Sequence, residues 1–246
     1  MTTMYTPPAM GYDRAITIFS PDGRLYQVEY AFEAVKRGWT TVGVRCREGV
    51  VLAVEKRRVT KLQDTASVEK VHKIDDHIAA AFAGIASDAR VLIEIAREYA
   101  LLNRLLYDEP IDVEVLVSKI CDIKQAYTQH GGVRPFGVAF LFGGVDRKGP
   151  QLFMTEPSGV YIGYYAYAIG GGSSTVVDIL EKKYSYDMSL DDAIILALYS
   201  LNAVVEGGID STRVEIAVID VKTKQFKKLT TSEIDRYIEL MKMRGV

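Results

Sequence analysis

The 246-residue sequence predicts an α+β fold in which two antiparallel sheets face one another, each covered by a pair of helices. Three observations predict it. Stretches of period-two alternation come in closely spaced pairs, as antiparallel hairpins require. Apolar residues at three- and four-residue steps mark helices, and these come in pairs between groups of strands, which disfavours a parallel doubly wound sheet. No linker, low-complexity tract or internal repeat interrupts the chain, so residues 12–246 read as a single domain behind a flexible N-terminal tail, residues 1–11.

The elements follow in order. The tail is small, polar and Pro-containing (Thr6, Pro7, Pro8), without periodicity. Ser20-Pro21-Asp22-Gly23 has the composition of a turn. Leu25, Val28, Phe32 and Val35 then mark an amphipathic helix over residues 24–37, stopped by Gly38. Val42, Val44 and Cys46 alternate with Gly43, Arg45 and Arg47, and a Glu48-Gly49 turn leads into a second strand over residues 50–54. Residues 71–74 and 78–82 form the next hairpin around Asp75-Asp76.

Two helices come next. Ser87 is placed to cap the first, whose stripe reads Leu92, Ile95, Tyr99, Leu102 and Leu106; the second runs over residues 113–127 after Pro110. Strands return at 138–142, 151–155 and 160–164, the last two joined by Glu156-Pro157-Ser158-Gly159. A second helix pair covers residues 174–184 and 189–206, with Ser189 and Asp192 in the form of a capping box. Residues 214–220 alternate again, and Thr230 with Glu233 caps a terminal helix that places Ile234, Ile238 and Met241 on one face.

Composition excludes several functional classes. With 48% hydrophobic and 25% charged residues the chain is ordinary globular protein, and a net charge of −2 supplies no global field to attract nucleic acid or an acidic membrane. A chain this long buries roughly three quarters of its unfolded surface, so it needs no disulfide or metal to fold. Its longest apolar stretch, residues 78–86, is about half a bilayer span. The first ten residues lack the basic start and apolar run of a signal peptide. The expectation is a soluble cytoplasmic protein. Cys46 and Cys121 fall at core positions of a strand and a helix, and His72, His77 and His130 have no second ligand at metal-binding spacing. No metal or cofactor is expected.

Motifs that could carry chemistry are few. Gly170-Gly171-Gly172-Ser173-Ser174 lacks the Lys of a P-loop and the third Gly of a dinucleotide fingerprint, and reads as a close strand-to-helix turn. No Gly-x-Ser-x-Gly elbow occurs. The basic runs Lys56-Arg57-Arg58 and residues 222–228 carry no interleaved aromatics and read as solvated faces or subunit contacts. Lys70, before a strand and beside Glu69 and His72, reads by itself as a surface lysine. Composition and spacing give no self-evident active site.

Residues 12–38 add a resemblance. Tyr12-Asp13-Arg14-Ala15-Ile16-Thr17-Ile18-Phe19-Ser20-Pro21-Asp22-Gly23-Arg24-Leu25-Tyr26-Gln27-Val28-Glu29-Tyr30-Ala31 closely resembles the N-terminal signature of proteasome α subunits, especially archaeal ones. Gly84 with Asp88-Ala89-Arg90, Tyr127-Thr128-Gln129, Gly131-Gly132-Val133-Arg134-Pro135-Phe136-Gly137, Glu156-Pro157-Ser158-Gly159 and Ala168-Ile169-Gly170 continue the agreement along nearly the whole chain.

The resemblance implies a four-layer α-β-β-α sandwich of the N-terminal-nucleophile hydrolase type. It implies a noncatalytic member of seven-membered α rings, which cap rings of β subunits carrying the threonine protease sites. The α ring would form a gated pore for unfolded protein, and regulatory AAA+ ATPases would dock their C-terminal tails between neighbouring α subunits. The helix over residues 24–37 would pack within the ring. Carried onto this sequence, Tyr12, Asp13, Pro21 and Tyr30 hold the open gate, and Lys70, with Gly38, Gly84, Ile85 and Glu29, receives the activator tail.

Two residues depart from the common archaeal pattern: Phe32 where an Arg is frequent, and Trp39 where a small residue is usual. Phe32 continues the apolar stripe, but a polar contact made by that Arg would be missing. Catalytic relatives expose a Thr as a new N-terminus, its hydroxyl the nucleophile and its amine the base. Aligning Val42-Gly43 with that pattern puts Trp39 at the nucleophile, with Glu55 and Lys70 near the acidic and lysine positions. Indole cannot attack a peptide. The alternative is a self-processing amidohydrolase of the same fold, using Thr40 after cleavage behind Trp39; an intact mass separates the two.

Overall fold

A computed structural model describes residues 17–57, 60, 62–64 and 68–244. The tail over residues 1–11 and the gate residues Tyr12 and Asp13 lie outside the described residues. The elements, in order, are α1 (Tyr26–Lys36), β1 (Thr41–Cys46), β2 (Gly49–Glu55), β3 (Val71–Asp75), β4 (Ile78–Gly84), α2 (Ala86–Tyr107), α3 (Val113–Ala126) and β5 (Val138–Asp146). They continue with β6 (Gly149–Thr155), β7 (Tyr161–Gly163), β8 (Ala166–Ile169), α4 (Ser173–Lys183), α5 (Leu190–Asn202), β9 (Val214–Asp220), β10 (Phe226–Lys228) and α6 (Thr231–Met243).

The strands form two five-stranded sheets, ordered β10-β9-β2-β1-β8 and β3-β4-β5-β6-β7, with antiparallel neighbours throughout. Alternation decides what each strand faces. Val42, Val44, Val51 and Ala53 point toward α4, α5 and α6, while Phe140 and Phe142 point toward α2 and α3. Leu52, Ala81, Leu141 and Leu152 meet between the sheets. Strands β2 and β5 are buried on both faces along their whole length, because each lies between a helix layer and the opposite sheet. The predicted α-β-β-α layering is the observed one.

Local signals hold where their chemistry is strong. Thr230 accepts from Glu233 N while Glu233 caps back, and the Ser189 side chain accepts from Asp192 N. Four expectations need correction. Ser87 does not cap α2: Ile85 stands at that position without a side-chain hydrogen bond, and Ser87 lies inside the helix. The stripe of α2 is set by Ala89, Leu92, Ile93, Ala96 and Ala100; Leu102 and Leu106 are exposed. Small alanines let α2 lie close on the sheet, a preference that counting large apolar residues misses. Strand β10 has no counterpart in the sequence pattern, and β8 is signalled only by the strand-to-helix turn at Gly170; each is completed by a longer neighbour. Nor are the basic runs simply solvated: Lys56 and Lys228 reach the buried Glu215, at 3.7 and 3.0 Å, and Arg57 reaches Glu55 at 2.6 Å.

Candidate functional site

Helix α1 stands at one end of the sandwich, against β4 and β5. Its buried residues Val28, Ala31 and Val35 seat it; its other face leaves Tyr30, Glu33, Ala34 and Arg37 in a row. These four, with Gly38, Gly84 and Ile85, line a concave surface of about 670 Å³. Close backbone approach shapes its floor. A Cβ on Gly38 would come within 2.3 Å of Gly84 N, and one on Gly84, whose φ is +117°, within 2.2 Å of Gly137 O. Both positions therefore demand glycine.

A second pair of contacts fixes the wall. Ile85 N donates to Gly137 O at 2.9 Å, and Gly137 N donates to Asp88 Oδ2 at 2.9 Å. Arg134 grips the same carboxylate with both terminal nitrogens, at 2.6 and 2.7 Å. Burial alone would raise the Asp88 carboxyl, but the Arg134 and Gly137 hydrogen bonds outweigh it and hold the group below the usual carboxylate range.

The structure brings together Tyr30, Gly38, Gly84 and Ile85 of the expected residues. Glu29 is one position off the cleft, 3.6 Å from Arg24. Pro21 is exposed in a turn closed by Gly23 N to Ser20 O at 2.8 Å, away from the cleft lining. Lys70 is not on the lining either. It lies behind, its Nζ 4.6 Å from the centre of the Trp39 ring and 4.2 Å from that of Phe82. Burial lowers its ammonium, with Glu215 opposing. Lys70 is thus a half-buried cation on two aromatic faces, not a plain surface lysine. Sequence reasoning misses Glu33, Ala34 and Arg37, although their spacing from Tyr30 puts them on one helical face.

Around Trp39, which the resemblance puts at the nucleophile position, the structure shows packing: the indole ring faces the Lys70 amine. Glu55, buried, is held by Arg57. Thr40 is buried too, its hydroxyl accepting from Gly172 N at 3.1 Å. Its carbonyl takes Glu55 N at 2.9 Å, so the bond after Trp39 leads straight into the sheet ladder. Neither residue offers a free attacking group. Among the described residues there is no cluster of His, Cys, Asp and Glu fit for a metal ion, and no helix long and apolar enough to cross a membrane.

Comparison with known proteins agrees. Residues 35–219 match the proteasome subunit family model, and residues 12–34 match the model of the N-terminal signature of A-type proteasome subunits. A protein named as a proteasome alpha subunit from Sulfolobus acidocaldarius is 58% identical over 230 residues, covering 92% of this chain and 95% of the relative. One of the same name from Pyrobaculum aerophilum is 56% identical over 229 residues, 93% and 94% of the two chains. Another from Saccharolobus islandicus is 52% identical over 237 residues, 96% and 98%. With two matches that adjoin in sequence and relatives aligned over nearly their full length, the chain belongs to the proteasome subunit family, as a noncatalytic α subunit.

Proposed function

We propose that this chain builds the seven-membered α ring that caps a β ring, gates the pore for unfolded protein in the cytoplasm, and receives the C-terminal tails of a regulatory ATPase. The observation that carries the reading is the cleft beside α1, whose floor is backbone held open by obligatory glycines and whose lining includes an exposed Tyr30. Lys70, next to Gly38 through Trp39 and two residues from Gly84 through Phe82, is the cation available for a terminal carboxylate once a neighbouring protomer completes the pocket. The apolar end of α2 is the surface offered to the β ring.

Four measurements, one on the chain alone and three on reconstituted particles, test this. The chain alone should elute as a ring and cleave no fluorogenic peptide; cleavage abolished by Thr40→Ala would overturn the noncatalytic assignment. Lys70→Ala should spare assembly and unstimulated peptidase activity while removing stimulation by the ATPase, and undiminished stimulation would exclude Lys70 from docking. Deleting residues 2–12 should speed casein degradation without ATPase; an unchanged rate would mean that the tail is not the gate. Tyr30→Ala should act the other way, weakening opening while the activator still binds, because an activator drives opening only by favouring the open state.

A further inference from the structure

Behind the cleft, β5 and β6 part company. Their pairing begins at Phe140↔Thr155, so Val138 and Ala139 have no partner on β6. On the side facing the other sheet, the gap contributes to a concave space of about 190 Å³ under α1, lined by Phe32, Val35, Ala139, Met154, Glu156 and Pro157 among others. On the side facing α3, the gap is bridged by one side chain. Lys124 Nζ donates to Val138 O at 2.9 Å and to Thr155 Oγ1 at 3.0 Å, and that hydroxyl also accepts from Phe140 N at 3.3 Å. Lys124 is completely buried. The same helical turn seats the loop after β6: a Cβ on Gly159, at φ +89°, would come 2.7 Å from Cys121 O and 2.6 Å from Gln125 Cβ.

We propose that Lys124 is a positioning residue for the docking cleft. By tethering Val138 it fixes Gly137 and the Ile85 amide that Gly137 accepts, and by tethering Thr155 it fixes the Glu156–Gly159 turn. This role rests on the docking reading above. The tether also senses protons. Burial pushes the Lys124 ammonium down to about 7, against the opposing pull of Cys121 on its own helix and Glu156 on the turn. From the strands it meets Val138, Thr155 and the Phe140 ring, none of them titratable. The cleft it braces therefore changes its support near neutral pH.

The test uses rings of the full chain carrying Lys124→Met, alone and capping a β ring. Hydrogen exchange over residues 84–86 and 152–163 should be several-fold faster than in wild type. The concentration of a synthetic peptide of the ATPase's C-terminal residues that half-saturates stimulation should rise several-fold. Its dependence on pH around the Lys124 midpoint near 7 should flatten. Unchanged exchange in both segments would overturn the inference. Faster exchange in a system where the peptide stimulates neither particle would support the positioning role and sink the docking reading instead. Should Lys124→Met fail to assemble, Thr155→Val removes one acceptor at nearly constant volume and must accelerate exchange in the same segments; no acceleration there would equally overturn it.

Discussion

Helices α5 and α2 cover opposite sheets, and they end their contact with the core in different ways. Helix α5 is buried nearly all round, from Ala193 to Leu198 and again at Ser200 and Leu201, because β1, β2, α4 and α6 enclose it. Helix α2 is buried only along one stripe, Ala89, Leu92, Ile93, Ala96 and Ala100, and its last two turns expose Leu101, Leu102, Leu105, Leu106 and Tyr107, with Leu105 72% exposed. Neither helix is short of apolar residues. What differs is whether this chain alone supplies the cover. A run of exposed leucines on one helix end is the mark of a surface completed by another protein. Helix α5 is completed by this chain alone; the end of α2 is the surface proposed above for contact with the β ring.

The largest effect should come from the enclosed helix. Leu198→Ala removes a fully buried side chain and should cost about 2–5 kcal/mol, read by denaturant unfolding. A loss under about 1 kcal/mol would mean that α5 can collapse around the cavity, and would weaken the contrast.

Next comes Lys124, on the α3 side. Its folded-state midpoint is lowered to about 7 from 10.5, so between those values the unfolded chain holds more protons and stability rises with pH. Below 7 both states are protonated and the burial cost is present in full. Cys121, raised to about 11 from 9.0, works in the opposite direction above 9, so the clean window lies between 7 and 9. Wild type should gain about 2 kcal/mol over Lys124→Met across that window. Parallel stability curves would show that the amine does not titrate there.

A smaller loss, about 1–3 kcal/mol, should follow Asp88→Asn, which weakens the Arg134 grip and leaves a poorer acceptor for Gly137 N. Because the Asp88 carboxyl is held low, its contribution is present above the ordinary carboxylate range and fades as pH falls through the depressed midpoint; the Asn variant should lack that acid limb. The smallest effect on stability should come from the exposed end of α2. Leu105→Ser with Leu106→Ser should change the unfolding free energy by no more than about 0.5 kcal/mol per residue while blocking assembly with β subunits. Normal assembly of that variant would erase the distinction between the two helices.

The same contrast explains what is legible in advance. The layers follow from period and order, and Ser189, Thr230 and Glu233 announce helix starts, because those bonds close within four residues. Leu102 and Leu106 carry the spacing of a buried stripe and yet are exposed; spacing says which residues share a face, not what lies against it. In the cleft, Tyr30, Gly38, Gly84 and Ile85 enter through resemblance, and only the fold shows why Gly38 and Gly84 must be glycine. Lys124, amid Cys121, Ile120 and Gln125, gives no signal of full burial, since its partners Val138 and Thr155 lie 14 and 31 residues away.

The sequence by itself determined the alternation that makes two antiparallel sheets and the periodicity that makes their helix layers, since each is written in neighbouring residues; the missing nucleophile at Trp39 is legible only through the resemblance. Only the tertiary structure decided that Lys70 rests on Trp39 and Phe82, that Glu215 gathers Lys56 and Lys228, and that Lys124 bridges two parting strands. The reason is physical. A periodic pattern acts over one or two turns, whereas the environment of a charge is set by whatever the folded chain brings within a few ångströms of it.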